Sequence, residues 1–346
     1  MRGFRDRDYI ETVDGLLFTV VGNVHPRDYA IAYLKYVPSS DGKWGYKKRK
    51  FERALPYYTV PMLLDTIAYL KEKYPCYVKS FSELGIEMSV VPIDRIYKHY
   101  KPEERLREVI EKPKDELEVM AAELAQALAD EANIPIGDLG ITGSILIGIH
   151  KPFSDIDLVV YGRESSLKIK EALKDFFKRP RRGIARLPQE NFNALLRERQ
   201  RLFNLTESEA HEICMRKWNR GLFKSKEFSI HPVKKESEVR EIFGEHVYKP
   251  IGLATIRGVI ADDSESIFMP SKWAIEDVVF IEGTEVNGLI ELCSYEGLYM
   301  DIVSEGEKFE ARGKIEAVYR RGRLSHYRLL IGSPEAKGLD YIKPKP

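Results

Sequence analysis

The stretch "SDIDLVVYG", Ser154 to Gly162, constrains this chain more than any other. Ile156, Leu158, Val159 and Val160 read as an interior strand of a sheet, yet two carboxylates, Asp155 and Asp157, stand at its mouth. In a strand, residues i and i+2 face the same side about 6.5 Å apart. The two aspartates therefore point together, while Ile156 and Leu158 point into the opposite packing layer. Like charges on one face repel, and partial burial raises one of the two pKa values. A divalent cation removes the conflict, and Mg²⁺ takes carboxylate oxygens together with water and substrate phosphates.

Upstream, with ten residues between it and Asp155, lies the pair Gly143-Ser144. "LGITGS" reads as a short strand ending in a glycine turn, and "ILIGIH" behind it as a short apolar helix. Glycine lets a phosphate approach the backbone, and a helix N-terminus offers unpaired amides and partial positive charge. A phosphate cradle and a metal clamp at this separation are what a nucleoside triphosphate requires.

Gly143-Ser144, ten residues, then Asp155-Ile156-Asp157 resembles the motif of the polymerase-beta-type nucleotidyltransferase superfamily. The resemblance implies that Gly143 and Ser144 lie beside the triphosphate and that Asp155 and Asp157 hold two Mg²⁺ or Mn²⁺ ions. It implies in-line attack of an acceptor hydroxyl on the α-phosphorus of an NTP, ATP being the expected donor, with pyrophosphate leaving. It also implies a third carboxylate on a following strand. That strand is "EFSIHPV", where alternation puts Glu227, Ser229 and His231 on one face and Phe228 and Ile230 on the other. Glu227 is the expected third carboxylate and metal ligand; His231, before a proline at a strand end, reads first as structural. The openings "FRDRDYIET" and "GLLFTVVGNVHP" are similar to uncharacterised archaeal proteins known only as predicted nucleotidyltransferases, which adds no substrate.

A net charge of +1 hides an uneven distribution: residues 151–240 carry 21 Lys/Arg against 13 Asp/Glu, and residues 247–346 carry 13 against 16. The basic excess directly follows the aspartates and suits a polyanion. Within "MRKWNRGLFKSKE", Arg216, Lys217 and Arg220 are candidate substrate contacts, joined by Lys224 and Lys226, with Trp218 stacking on a base. The competing account is a solvated helix face with a core tryptophan. The stretch Lys43–Arg53, "KWGYKKRKFER", mixes aromatics and cations but reads as a charged loop. Arg320, Arg321 and Arg323 read as an exposed turn. RNA is a candidate acceptor, and the alternative function is a nucleotide- or RNA-binding protein that keeps the fold without turnover.

The expected fold class is α+β in three segments. Residues 1–112 read as a small α/β domain of unknown role. Residues 113–245 read as the nucleotidyltransferase-type mixed sheet with helices, opened by "KDELEVMAAELAQALADEAN", whose Leu117, Met120, Leu124 and Leu128 share a face. Residues 246–346 alternate short β-branched runs with Gly and charged turns, the pattern of a small barrel or sandwich. No run approaches the roughly 18 apolar residues of a membrane span, and "MRGFRDRDYIET" lacks the apolar core of a signal peptide. Cys76, Cys214 and Cys293 are too scattered for a disulfide framework, so a cytoplasmic setting is expected. The 32% charged content with only three Gln is a thermophile's composition. The oligomeric state is left open.

Overall fold

The computed structural model describes residues 2–46 and 49–345, so Lys47 and Lys48 of the basic Lys43–Arg53 stretch lie outside the described residues. The fold is α+β. The chain gathers into two compact units, Met1–Leu55, Val91–Phe192 and Trp218–Arg240 in one, and Pro56–Val90, Asn193–Lys217 and Glu241–Pro346 in the other. These units cut across the three segments read from composition, since residues 1–112 and residues 113–245 each contribute to both.

The first unit holds a five-stranded mixed sheet in the order Ile184–Ala185, Arg220–Phe223, Lys226–Val233, Ile156–Tyr161, Leu139–Ile141. The aspartate strand Ile156–Tyr161 runs parallel to Lys226–Val233, in a register that sets Asp157 beside Ser229 and Val159 beside His231. On the back face Ile156, Leu158, Val160, Phe228 and Ile230 are fully buried with the apolar sides of helices Glu116–Ala132 and Arg163–Lys178. Each such side chain contributes roughly 1.5–3 kcal/mol by leaving water, which fixes the register and so fixes what the front face displays. Leu117, Met120, Leu124 and Leu128 are all buried, as their spacing predicts. Asp115 caps that helix by accepting a hydrogen bond from the Glu118 amide at 3.0 Å, and Asn133, left-handed at φ 49°, ends it.

A second sheet in the same unit is antiparallel, in the order Trp44–Tyr46, Arg49–Arg53, Tyr29–Pro38, Leu17–Val20, Tyr9–Thr12, Ile96–Tyr100. Its Tyr9, Leu17, Tyr36, Phe51 and Tyr100 share a core with Leu146, Ile147 and Ile149, the residues just past the Gly-Ser turn. The turn is thus held between the two sheets. The helix expected near Pro61 forms at Val60–Lys73 and belongs to the second unit.

In the second unit the pairings close a circuit: His246–Glu265, Ser271–Gly283, Leu289–Ser294, Arg323–Ile331, Lys308–Arg320 and back to His246–Glu265. This is the small barrel expected for residues 246–346, with Tyr341–Lys345 added along Lys308–Arg320. Trp273 lies in its core, its indole N–H satisfied by the Val303 carbonyl at 3.1 Å. Arg320 is paired with Glu245 at 2.7 Å. Among the described residues, no helix is long and apolar enough to cross a membrane.

Candidate active site

The front face of the mixed sheet carries the aspartates. Asp155 precedes the strand and stands open to solvent, whereas Asp157 is half-buried. Asp157 accepts a short hydrogen bond from Ser229 Oγ. A hydroxyl has one proton to give, so His231 Nε2, 2.8 Å from Ser229 Oγ, must be the donor in that contact. His231 therefore carries its proton on Nε2 and fixes Ser229, which in turn fixes Asp157. Nε2 itself is 3.8 Å from Asp157 Oδ1, beyond direct hydrogen-bond reach.

The two carboxyls are driven apart in pKa. Asp155 is pushed up to about 6, first by the Asp157 charge beside it and then by desolvation. Because Asp155 is solvent-exposed, the neighbouring charge is the cause that counts. Desolvation alone would raise Asp157, but His231 beside it, the hydrogen bond from Ser229 that His231 orients, and the charge of Arg7 outweigh it and hold the group down to about 2. Burial, with Arg7 adding to it, lowers His231 to about 4, so the ring is neutral at neutral pH. One carboxylate is thus locked in its charged form and the other waits for a cation.

Gly143 and Ser144 sit against this pair. Gly143 is left-handed at φ 65°, and a Cβ placed on it would fall 2.4 Å from Asp157 Oδ2. The glycine is required there by the aspartate itself. The apolar helix expected behind it is a single turn, Gly143–Leu146, too short to build a helix dipole. The cradle thus reduces to the turn's own backbone, braced from two sides. Thr142 Oγ1 donates to the Arg7 carbonyl at 2.7 Å, and Arg105 Nε donates to the Ile145 carbonyl at 3.2 Å.

Glu227 lies on the strand beside the aspartates, on the face of Ser229, as alternation predicts. Its carboxylate is engaged, accepting from Asn191 Nδ2 at 2.8 Å and standing 3.6 Å from Arg220. It does not join Asp155 and Asp157 in a metal-sized cluster. Among the described residues the one group of three such side chains with ligand atoms within 4.8 Å is Asp115, Glu118 and His150. There Asp115 is a helix cap 2.7 Å from His150 Nε2, and Glu118 is held by Arg105 and the Lys114 amide. The Arg105 guanidinium already supplies the positive charge that a metal would bring.

Of the basic candidates, Arg220 is on the site face, opposite Ser229. Arg216 and Lys217, expected as substrate contacts, belong to the second unit and are engaged within it. Arg216 bonds Glu307 at 2.8 Å and the Ile302 carbonyl, and Lys217 bonds the Gly297 and Met300 carbonyls. Trp218 is a core residue, 3% exposed. Lys224 pairs with Glu123 at 2.6 Å, and Lys226 donates to the Pro152 carbonyl.

Sequence reading missed the cations that the N-terminal sheet brings to the pair. The charges of Arg53 and Arg220 act on Asp155, and that of Arg7 on Asp157. Lys35 is buried, donates to the Leu55 carbonyl at 2.7 Å, and is pushed well below the ordinary lysine range by burial and by Arg53 and Arg7. The Nε atoms of Arg53 and Arg220 are buried without a hydrogen-bond partner among the described residues. Such orphaned donors are costly unless a ligand completes them. No spacing rule links residues 7, 35 and 53 to an aspartate at 155; only the sheet does.

A glycine turn pressed against an aspartate pair on a mixed sheet, with cations around it, has the arrangement that the sequence motif implies. Residues 121–242 match the model of the nucleotidyltransferase domain family, which agrees with the resemblance carried by the Gly143-Ser144 and Asp155-Ile156-Asp157 motif within that segment. Over 346 residues the chain is 29% identical to an uncharacterized protein of Methanocaldococcus jannaschii, covering 99% of each. No solved structure matches it significantly.

Proposed function

We propose that the protein transfers a nucleoside monophosphate from an NTP, ATP by preference, to a hydroxyl acceptor in a reaction that needs Mg²⁺ or Mn²⁺. The observation that carries this reading is the split pair: Asp157 locked as carboxylate and Asp155 raised by it, both solvent-facing enough to take a hard cation. The donor set is carboxylate oxygen, which fits Mg²⁺. Bound there, divalent ions would offset charge on the attacking and leaving oxygens. Asp155 and Asp157 hold that charge in place, with Ser229 and His231 orienting Asp157. The Gly143-Ser144 backbone faces the β- and γ-phosphates, and Arg53 and Arg220, whose charges already act on Asp155, neutralise the triphosphate. Glu227, on the same strand face, takes the proton of the acceptor hydroxyl.

A second reading, binding without turnover, is favoured by one observation: Glu227 is occupied by Asn191 and Arg220, and a serine stands opposite Asp157. Calorimetric titration of ATP with and without Mg²⁺, followed by pyrophosphate release with RNA and small hydroxyl acceptors, separates the two. Mg²⁺-dependent binding with release supports transfer; binding without release from any acceptor leaves the second reading. An RNA 3′ hydroxyl as acceptor and a cytoplasmic location belong to this proposal. The location is supported by three cysteines that form no disulfide among the described residues.

A further inference from the structure

The strands Trp44–Tyr46 and Arg49–Arg53 are built into the wall of the site. The strand Trp44–Tyr46 is stitched to the loop that leads into Asp155. The Gly45 amide donates to the Ile149 carbonyl at 2.8 Å, and Tyr46 Oη donates to the His150 carbonyl at 2.6 Å. Lys151 Nζ lies 3.9 Å from the Tyr46 ring centroid. Two residues before Asp155, Phe153 is 66% exposed, its ring at 78° to the half-exposed Trp44 with centroids 6.4 Å apart. Arg53 lies over the Trp44 ring at 4.5 Å and donates to Tyr36 Oη at 3.4 Å, while its Nε is buried and unfilled.

An exposed phenylalanine held at the mouth of a charged site presents its ring to a flat partner. Aromatic faces interleaved with cations are how proteins hold unpaired bases, the ring stacking on the base and the guanidinium meeting its phosphate. We propose that Phe153, Trp44 and Arg53 form a stacking platform for an unpaired nucleobase whose phosphate reaches the Asp155–Asp157 pair. The platform stands on the contacts above; the placing of its phosphate rests on the nucleotidyl-transfer reading. The base belongs either to the donor NTP or to the terminal nucleotide of a nucleic-acid acceptor.

Tryptophan fluorescence of the full chain tests this without metal. Of the three tryptophans, Trp218 and Trp273 are 3% and 1% exposed, so a change on adding a small ligand reports Trp44. With EDTA present, AMP should quench saturably and ribose 5-phosphate should not. Phe153→Ala, an exposed position that spares the fold, should weaken AMP binding about 5- to 150-fold, the range for losing one base–aromatic stack. Equal quenching by ribose 5-phosphate, or unchanged AMP affinity in Phe153→Ala, overturns the platform. Mg²⁺-dependent ATP binding is followed in parallel. If it survives while AMP quenching is absent, the platform alone is wrong; if AMP quenches and Mg²⁺ adds nothing, the transfer reading alone is wrong. Displacement of AMP by Mg-ATP assigns the platform to the donor's base, and simultaneous binding assigns it to the acceptor's. Either result supports it.

Discussion

Replacing Gly143 by alanine should damage Asp157 more than it damages the fold. Alanine at a left-handed φ of 65° costs about 1–2 kcal/mol. The new Cβ also meets Asp157 Oδ2 at 2.4 Å where ordinary contact begins near 3.4 Å, so the carboxylate must retreat by 3.4 − 2.4, or 1.0 Å. Ser229 holds the other oxygen and resists that movement. The backbone term lowers the melting temperature by roughly 2–8 °C. The displacement should cost on the order of 100-fold in turnover, the usual effect of a 1 Å misplacement at a reacting centre. Gly148 supplies the control: its φ is 67°, and a Cβ added there would meet nothing within 4 Å. Gly148→Ala should share the loss of stability and keep Mg-ATP binding. Melting curves in EDTA read the stability and pyrophosphate release the turnover, with calorimetric titration of Mg-ATP beside them. If Gly143→Ala and Gly148→Ala bind Mg-ATP equally well, the contact with Asp157 is irrelevant and the reasoning fails.

Three further outcomes follow from the same geometry. Asp155→Asn should abolish Mg²⁺-dependent ATP binding and raise the metal-free stability. Its carboxyl moves from an ordinary value of 3.8 to about 6, a shift worth up to about 3 kcal/mol; solvent exposure cuts this to about 1 kcal/mol, and thermal melting in EDTA reads it. Glu227→Gln should leave nucleotide affinity close to the parent while lowering pyrophosphate release about 10²–10⁴-fold, as for a lost general base; equal rates would remove Glu227 from the chemistry. Mg²⁺ affinity, followed by titration at fixed ATP, should be flat above about pH 6 and fall about tenfold per unit below it, because the metal must displace the proton that Asp155 regains there. Melting curves would hide this. A raised Asp155 favours the folded state as pH falls from about 6 toward 4, while a His231 lowered to about 4 disfavours it over nearly the same range.

Local chemistry was legible in the sequence and long-range assembly was not. The aspartate strand and the helix carrying Leu117, Met120, Leu124 and Leu128 announce themselves because period and neighbours are written within twenty residues. Glu227, Ser229 and His231 could be placed on one face by alternation alone. What alternation does not reveal is that Asn191 and Arg220 already hold Glu227. Nor does the sequence near Arg216 reveal its partner Glu307, which lies 91 positions away. Composition likewise marks off residues 1–112 as a block, since nothing local records that the chain leaves the first unit at Leu55 and returns at Val91.

That interrupted path has a consequence for synthesis. Ser229 and His231 leave the ribosome more than 200 residues after Arg7, a delay of roughly 10–45 s at ordinary elongation rates. Until then the aspartate strand has no parallel neighbour on one edge, and Asp157 lacks the hydroxyl that orients it. Parallel pairing across such a separation is slow to form. A chain arrested before Trp218 therefore carries both aspartates and the Gly-Ser turn with no organised site, and its open strand edge is a target for chaperones or for wrong pairing with another nascent copy.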